Sequence, residues 1–166
     1  LFRSTTGGWS AAPHVPTAAL LESATRRQQF LQAIESRGMT IAALNVSGNP
    51  LDPGELGQRH QQDTENALRL AGELGVKKIV MMSGLPPASP HDTVPNWITY
   101  TVSWPPTLKN CLDYQWNEVA IPYWRGLTER ATACGVEKFA LENFSSMLVW
   151  NPETLFRLRD AVGPMV

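Results

Sequence analysis

"EKFALENFSS", Glu137 to Ser146, is the stretch whose reading decides the fold. Phe139, Ala140 and Leu141 form a short apolar run that stops at a carboxylate, Glu142, and an amide, Asn143. An apolar run this short, bounded by polar residues, reads as a buried strand. Just before it, Gly135 closes the helical stretch "GLTERATACG" at the left-handed C-terminal position that glycine tolerates best.

The same order of helix, glycine and apolar strand recurs upstream. "LLESATRRQQFLQAIESRG" carries an apolar stripe of Leu20, Leu21, Ala24, Phe30, Leu31 and Ile34, ends at Gly38 and leads into "MTIAALNVSGN". "TENALRLAGELG" ends at Gly75 and leads into "VKKIVMMSG". The third unit is longer than the second, and the Pro- and Trp-rich stretch "LPPASPHDTVPNWITYTVSWPP", residues 85–106, supplies the surplus. A last helix is marked by Asn151 as N-cap, Pro152 at the first helical position, Glu153 at the positive end and Gly163 as terminator.

Strands that alternate with helices and are apolar through most of their length imply a parallel sheet covered by helices. An open doubly wound sheet and a (β/α) barrel both meet that description, and both gather their chemistry at the carboxyl ends of the strands. Those ends read Asn45-Val46-Ser47-Gly48-Asn49, Met82-Ser83-Gly84 and Glu142-Asn143, so polar groups collect on one rim. A full barrel takes about 250 residues and eight strands. This chain has 166 residues and three clear strand signals, so the expectation is a partial barrel. Its exposed sheet edges would be covered by further barrel residues or by a second copy in a homo-oligomer.

Composition narrows the function. With a formal net charge of -1 and no basic cluster beyond Arg26-Arg27 and Lys77-Lys78, a nucleic-acid or membrane surface is not expected. The two cysteines, Cys111 and Cys134, lie far apart without metal-ligand spacing, which suits a reducing, cytoplasmic location. No apolar run approaches the about 20 residues of a membrane span. The sequons at Asn45 and Asn143 begin where buried strands end and read as chance matches. The sequence holds no Gly-x-Ser-x-Gly elbow, phosphate loop, dinucleotide fingerprint or His-Glu-x-x-His helix.

Six tryptophans are the outlying feature. Trp9, Trp97 and Trp116 are candidates for stacking on a ligand, and Trp124 and Trp150 for packing. Asn45 and Asn49 either hydrogen-bond substrate hydroxyls or shape the turn around Gly48 and Pro50. Ser83 either contacts a substrate hydroxyl or phosphate or belongs to a turn. His14 reads as a proton carrier or as a surface residue of its loop. His60 and His91 have no metal-ligand spacing to another histidine or acid. By residue type alone, Glu142 is either paired with an arginine at the rim or an oxygen ligand for a cation.

The strings "TTGGWSAAPH", "IAALNVSGNPLDP", "GVKKIVMMSGLP", "PNWITYTVSWPP", "YQWNEVAIPYW", "ALENF" and "VWNPETLFRLRDAVGP" together resemble the sugar phosphate isomerase/epimerase family, the xylose isomerase-like TIM barrels, from about Thr5 to Pro164. The resemblance implies a barrel with a divalent metal such as Mn2+ or Mg2+ at the carboxyl rim. It makes Glu142, at the end of the fourth strand, both a metal ligand and a catalytic group, and it places further ligands beyond Val166. It sets the boundaries of the single domain, residues 1–166, from the loop after strand one to the helix after strand four. Two positions depart from the family pattern, which has histidine where Asp52 and Phe144 stand here. The implied activity is isomerisation or epimerisation of a sugar or sugar phosphate, by proton abstraction next to a carbonyl through an enediolate. The alternatives are a related dehydratase or lyase, or a non-catalytic carbohydrate-binding or assembly subunit. The expected partner is a small sugar or polyol.

Overall fold

The computed structural model describes residues 2–10, 12–98 and 106–166. Part of the Pro- and Trp-rich string, residues 99–105, therefore lies outside the described residues.

Among the described residues four strands and six α-helices follow in the order β1 Phe2–Thr5, α1 Thr17–Glu22, α2 Ala24–Glu35, β2 Ile41–Asn45, α3 Glu55–Leu74, β3 Lys78–Met81, α4 Pro106–Asp113, α5 Ile121–Ala133, β4 Lys138–Leu141 and α6 Pro152–Val162. The strands pair in sequence order, β1-β2-β3-β4, and every pair is parallel. A doubly wound sheet reverses its strand order partway, whereas barrel winding does not. Of the two arrangements open from the sequence, the barrel type is the one found.

Three local features depart from the sequence reading. The segment was expected to start after strand one, yet Phe2–Thr5 is itself a strand paired with β2. "FRST" contains one apolar residue, so no apolar run announces it. The first helix is two helices, broken at Ser23, whose backbone is extended and whose hydroxyl accepts the Arg26 N–H as the N-cap of α2. Finally, α4 and α5 are joined by a π-helical turn, Tyr114–Ala120. Pro122, in the first turn of α5, has no N–H to donate and its ring would crowd an α-helical carbonyl. Widening the preceding turn relieves that conflict, and the Ile121 N–H reaches back to the Trp116 carbonyl.

The glycine expectations are met. Gly38, Gly75 and Gly135 all have φ between +65° and +76°, and each ends its helix.

Strand alternation divides the sheet into two faces. Leu44, Val46, Ile79, Met81 and Phe139 are buried in one cluster with Leu68 of α3 and Trp124 and Leu127 of α5. The intervening residues, Asn45, Val80 and Ala140, stand on the opposite face. Trp124 is completely buried, as the sequence suggested for a packing residue. Its ring meets Phe139 edge-on at 5.3 Å, and its Nε1–H donates to the Ser83 carbonyl at 3.0 Å. Among the described residues both cysteines are free thiols, and no helix is long and apolar enough to cross a membrane.

Trp124→Ala removes the largest core side chain touching β4 and leaves the buried Ser83 carbonyl without this donor. Denaturant unfolding of the full-length protein is expected to show a loss of about 3–5 kcal/mol.

Candidate functional site

Register places the central pair of residues. Asn45 is level with Val80, and Val80 with Ala140. Two residues further along, on the same face, stand Ser47 after β2 and Glu142 after β4. The Ser47 hydroxyl donates to Glu142 Oε2 at 3.0 Å. Asn45 Nδ2–H donates to Ser47 Oγ at 2.9 Å, and the Ser47 N–H donates to Asn45 Oδ1 at 3.4 Å. The Glu142 N–H donates to the Met81 carbonyl at 3.0 Å, carrying the β3–β4 ladder just past the strand. Asn45, Ser47 and Glu142 thus form one directed hydrogen-bond chain at the carboxyl rim. It orients one carboxylate oxygen.

The loop after β1 lies across this chain. Thr6 donates its N–H and its hydroxyl to the Asn45 carbonyl, at 2.8 and 3.1 Å, and the Trp9 N–H donates to the Ser47 carbonyl at 2.9 Å. Gly8, between them, has φ +73°, and a Cβ there would collide with the Ser47 carbonyl oxygen. Only glycine fits this crossing.

Helix α3 anchors two of these loops from below. Asp63 Oδ2 accepts the Gly8 N–H at 2.9 Å, and His60 Nδ1 accepts the Asn49 N–H at 2.9 Å. With Nδ1 as the acceptor, the donor position of the ring is Nε2. That nitrogen has no hydrogen-bond partner among the described residues, and the ring lies 4.6 Å from Trp9, near edge-on. Neither residue has metal-ligand spacing in the sequence. Their i, i+3 relation on one helix face was the available signal.

The other candidates have varied surroundings. Asn49 is buried and links the loops after β2 and β3: Oδ1 accepts the Leu51 and Leu85 N–H groups at 3.2 and 2.7 Å, and Nδ2–H donates to the Leu85 carbonyl at 3.0 Å. Ser83 is also buried; its hydroxyl accepts the Val149 N–H at 2.9 Å and donates to the Gly84 carbonyl at 3.1 Å. Both fit their structural alternative. Trp9 and Trp97 have exposed rings, while Trp116 is only 2% exposed and lies beneath the Arg157 guanidinium, 4.4 Å from its ring centre. Trp150, expected to pack, is instead 40% exposed and meets Trp97 edge-on at 6.2 Å. His14 is exposed, and its backbone N–H donates to Thr5 Oγ1. Asp52 Oδ1 accepts the Gly54 N–H at 2.8 Å, turning the chain into α3, and Phe144 is exposed.

Glu142, Ser47 and Asn45 offer oxygen atoms of the kind that hard divalent ions prefer. They match such an ion in kind and fall short in number. Among the described residues no three of His, Cys, Asp and Glu come together as a cation site. A metal at Glu142 would need ligands from outside the described residues.

No family model matches the chain. It is 67% identical over 162 residues to a Bacillus subtilis protein named "Uncharacterized protein YfiH", covering 98% of this chain and 52% of that protein. The chain thus spans about half the length of the curated relative it matches. Among solved structures it is similar to a xylose isomerase-like TIM barrel protein from Mycobacterium smegmatis in complex with magnesium, with a TM-score of 0.55 and 20% identity, over 92% of this chain and 47% of that one. A second likeness, to a proposed sugar phosphate isomerase/epimerase from Anabaena variabilis, has a TM-score of 0.49 and 16% identity over 95% of this chain and 49% of that one. The fold is therefore that of part of a TIM barrel, as the sequence resemblance implied.

Asp63→Ala would free the Gly8 N–H and loosen the loop over Ser47. The expected results are a stability loss of about 1.5–3 kcal/mol, as for a hydrogen bond to a charged group, and faster hydrogen exchange at the Gly8 and Trp9 amides.

Proposed function

With part of a xylose isomerase-like barrel as the premise, we propose that the full-length protein is an isomerase or epimerase that moves a proton next to the carbonyl of a sugar or sugar phosphate. The observation that carries this reading is the Ser47–Glu142 hydrogen bond at the carboxyl rim, where barrel enzymes hold their reacting groups.

Proton transfer next to a carbonyl needs a positioned carboxylate and a way to stabilise charge developing on oxygen. A divalent metal such as Mg2+ or Mn2+, held by Glu142 with ligands from outside the described residues, would supply that stabilisation. The magnesium in the Mycobacterium smegmatis structure supports this part of the reading. The chain's own residues prepare the carboxylate. Ser47 holds Oε2 and Asn45 holds Ser47, which restrains the Glu142 side chain at the rim. Strand ends joined by a ladder locate these groups more accurately than a free loop would. Trp9, half exposed and bonded through its N–H to Ser47, offers an apolar wall for a sugar ring. His14, exposed in the same loop, is the proposed proton carrier.

Glu142→Gln keeps the size of the side chain and removes its charge. In the full-length protein it is expected to weaken divalent-metal binding and lower kcat by about 100- to 1000-fold, with an unchanged circular dichroism spectrum. Ser47→Ala, which leaves the carboxylate in place but unanchored, is expected to lower kcat about tenfold. Metal affinity and turnover unchanged in Glu142→Gln would refute the proposal. Sugar binding without turnover in the wild-type protein would favour a non-catalytic carbohydrate-binding role instead.

A further inference from the structure

His60 of α3 touches both loops that carry the proposed site, the one after β1 with Trp9 and the one after β2 with Ser47. It is 1% exposed. Its Nδ1 accepts the Asn49 N–H at 2.9 Å, and its ring lies so close to the chain that a Cβ on Gly48 would come within 2.9 Å of its Cγ. The same ring meets the Trp9 indole near edge-on, with centres 4.6 Å apart.

Ser47 lies between two attachments. Its carbonyl accepts the Trp9 N–H at 2.9 Å, and two residues further on the Asn49 N–H is held by His60. Asn49 is itself locked, because its side chain bonds both the N–H and the carbonyl of Leu85. The segment Ser47-Gly48-Asn49 is therefore fixed at both ends, and from it the Ser47 hydroxyl donates to Glu142 Oε2.

Side-chain chemistry separates two tasks for His60. The Asn49 N–H needs only an acceptor at the δ position, which an asparagine would supply as well. The rest of the imidazole adds nothing to that bond, and it brings a buried Nε2 with no hydrogen-bond partner among the described residues, a cost to stability. What the rest of the ring does reach is Trp9, whose indole is half open to solvent. Ring pairs in this geometry hold one another in place. We infer that His60 is a positioning residue of the proposed reaction site, fixing Ser47 through the Asn49 N–H and the Trp9 indole through its ring. One side chain thereby keeps the serine that restrains Glu142 and the apolar wall for a sugar in a constant relation. The inference rests on the isomerase or epimerase reading.

Two probes of the full-length protein test it. With 5-fluorotryptophan incorporated and the Trp9 signal assigned from Trp9→Phe, fluorine NMR is expected to show the Trp9 signal shifted in His60→Asn. The second probe is Mn2+ alone, its binding followed by electron paramagnetic resonance. His60→Leu fills the same space without an acceptor and is expected to weaken Mn2+ binding about tenfold, the order of one hydrogen bond. His60→Asn returns the acceptor and is expected to bind Mn2+ within about twofold of wild type. A purely structural role would not produce this rescue. An unshifted Trp9 signal in His60→Asn, wild-type Mn2+ affinity in His60→Leu, or a loss that His60→Asn fails to restore would each overturn the inference. If His60→Leu does not fold, the Trp9 signal of His60→Asn decides alone. A wild-type protein that binds no Mn2+ would instead refute the reading on which the inference rests.

Discussion

The hydrogen bond from Ser47 to Glu142 joins residues 95 positions apart in the chain and connects the ends of β2 and β4 past the strand between them. It exists because two parallel pairings share one register. Slipping either strand by one residue would turn its polar end residues to the helix-covered face and its apolar residues to the other. Burial of Leu44, Val46, Ile79, Met81 and Phe139 against α3 and α5 opposes that slip. The core therefore does more than stabilise the chain: it sets which side chains meet at the rim.

Above the strands, each loop is tied to a neighbour by a side chain. Asp63 holds the loop after β1, His60 holds the loop after β2, Asn49 links that loop to Leu85 after β3, and Ser83 links the β3 end to Val149 after β4. Most of these groups are buried, so losing a partner would leave a polar atom stranded. The arrangement gives the Asn45–Ser47–Glu142 chain a rigid surround, which is what accurate placement of a reacting carboxylate requires.

Much of this was legible in the residues. The glycines at positions 38, 75 and 135, each followed at once by an apolar run, fixed the helix-to-strand boundaries, and the polar strand ends marked the rim. Asn45 stands out as a candidate, and it does join the chain of bonds to Glu142, whereas Ser47 reads only as one of the polar groups at the end of β2 because serine after a strand has many uses. Strand β1 escaped notice because "FRST" lacks an apolar run. The π-helical turn depends on how the chain accommodates Pro122, which no periodicity reveals. Trp150, read as a packing residue, is exposed beside Trp97, whereas Trp116, a stacking candidate, is buried beneath Arg157. Aromatic residues satisfy core and surface equally well by composition, so only their tertiary neighbours distinguish them. Asn49 and Ser83 illustrate the same limit, since a polar residue at a rim serves a ligand or a loop and the partner decides which.

The most direct measurement is anomalous diffraction from crystals of the full-length protein grown with Mn2+. A manganese peak is expected about 2.0–2.6 Å from a Glu142 carboxylate oxygen, with Ser47 still bonded to Oε2. A peak only at some other place, or a Glu142 side chain turned away from Ser47 with no ion beside it, would contradict it.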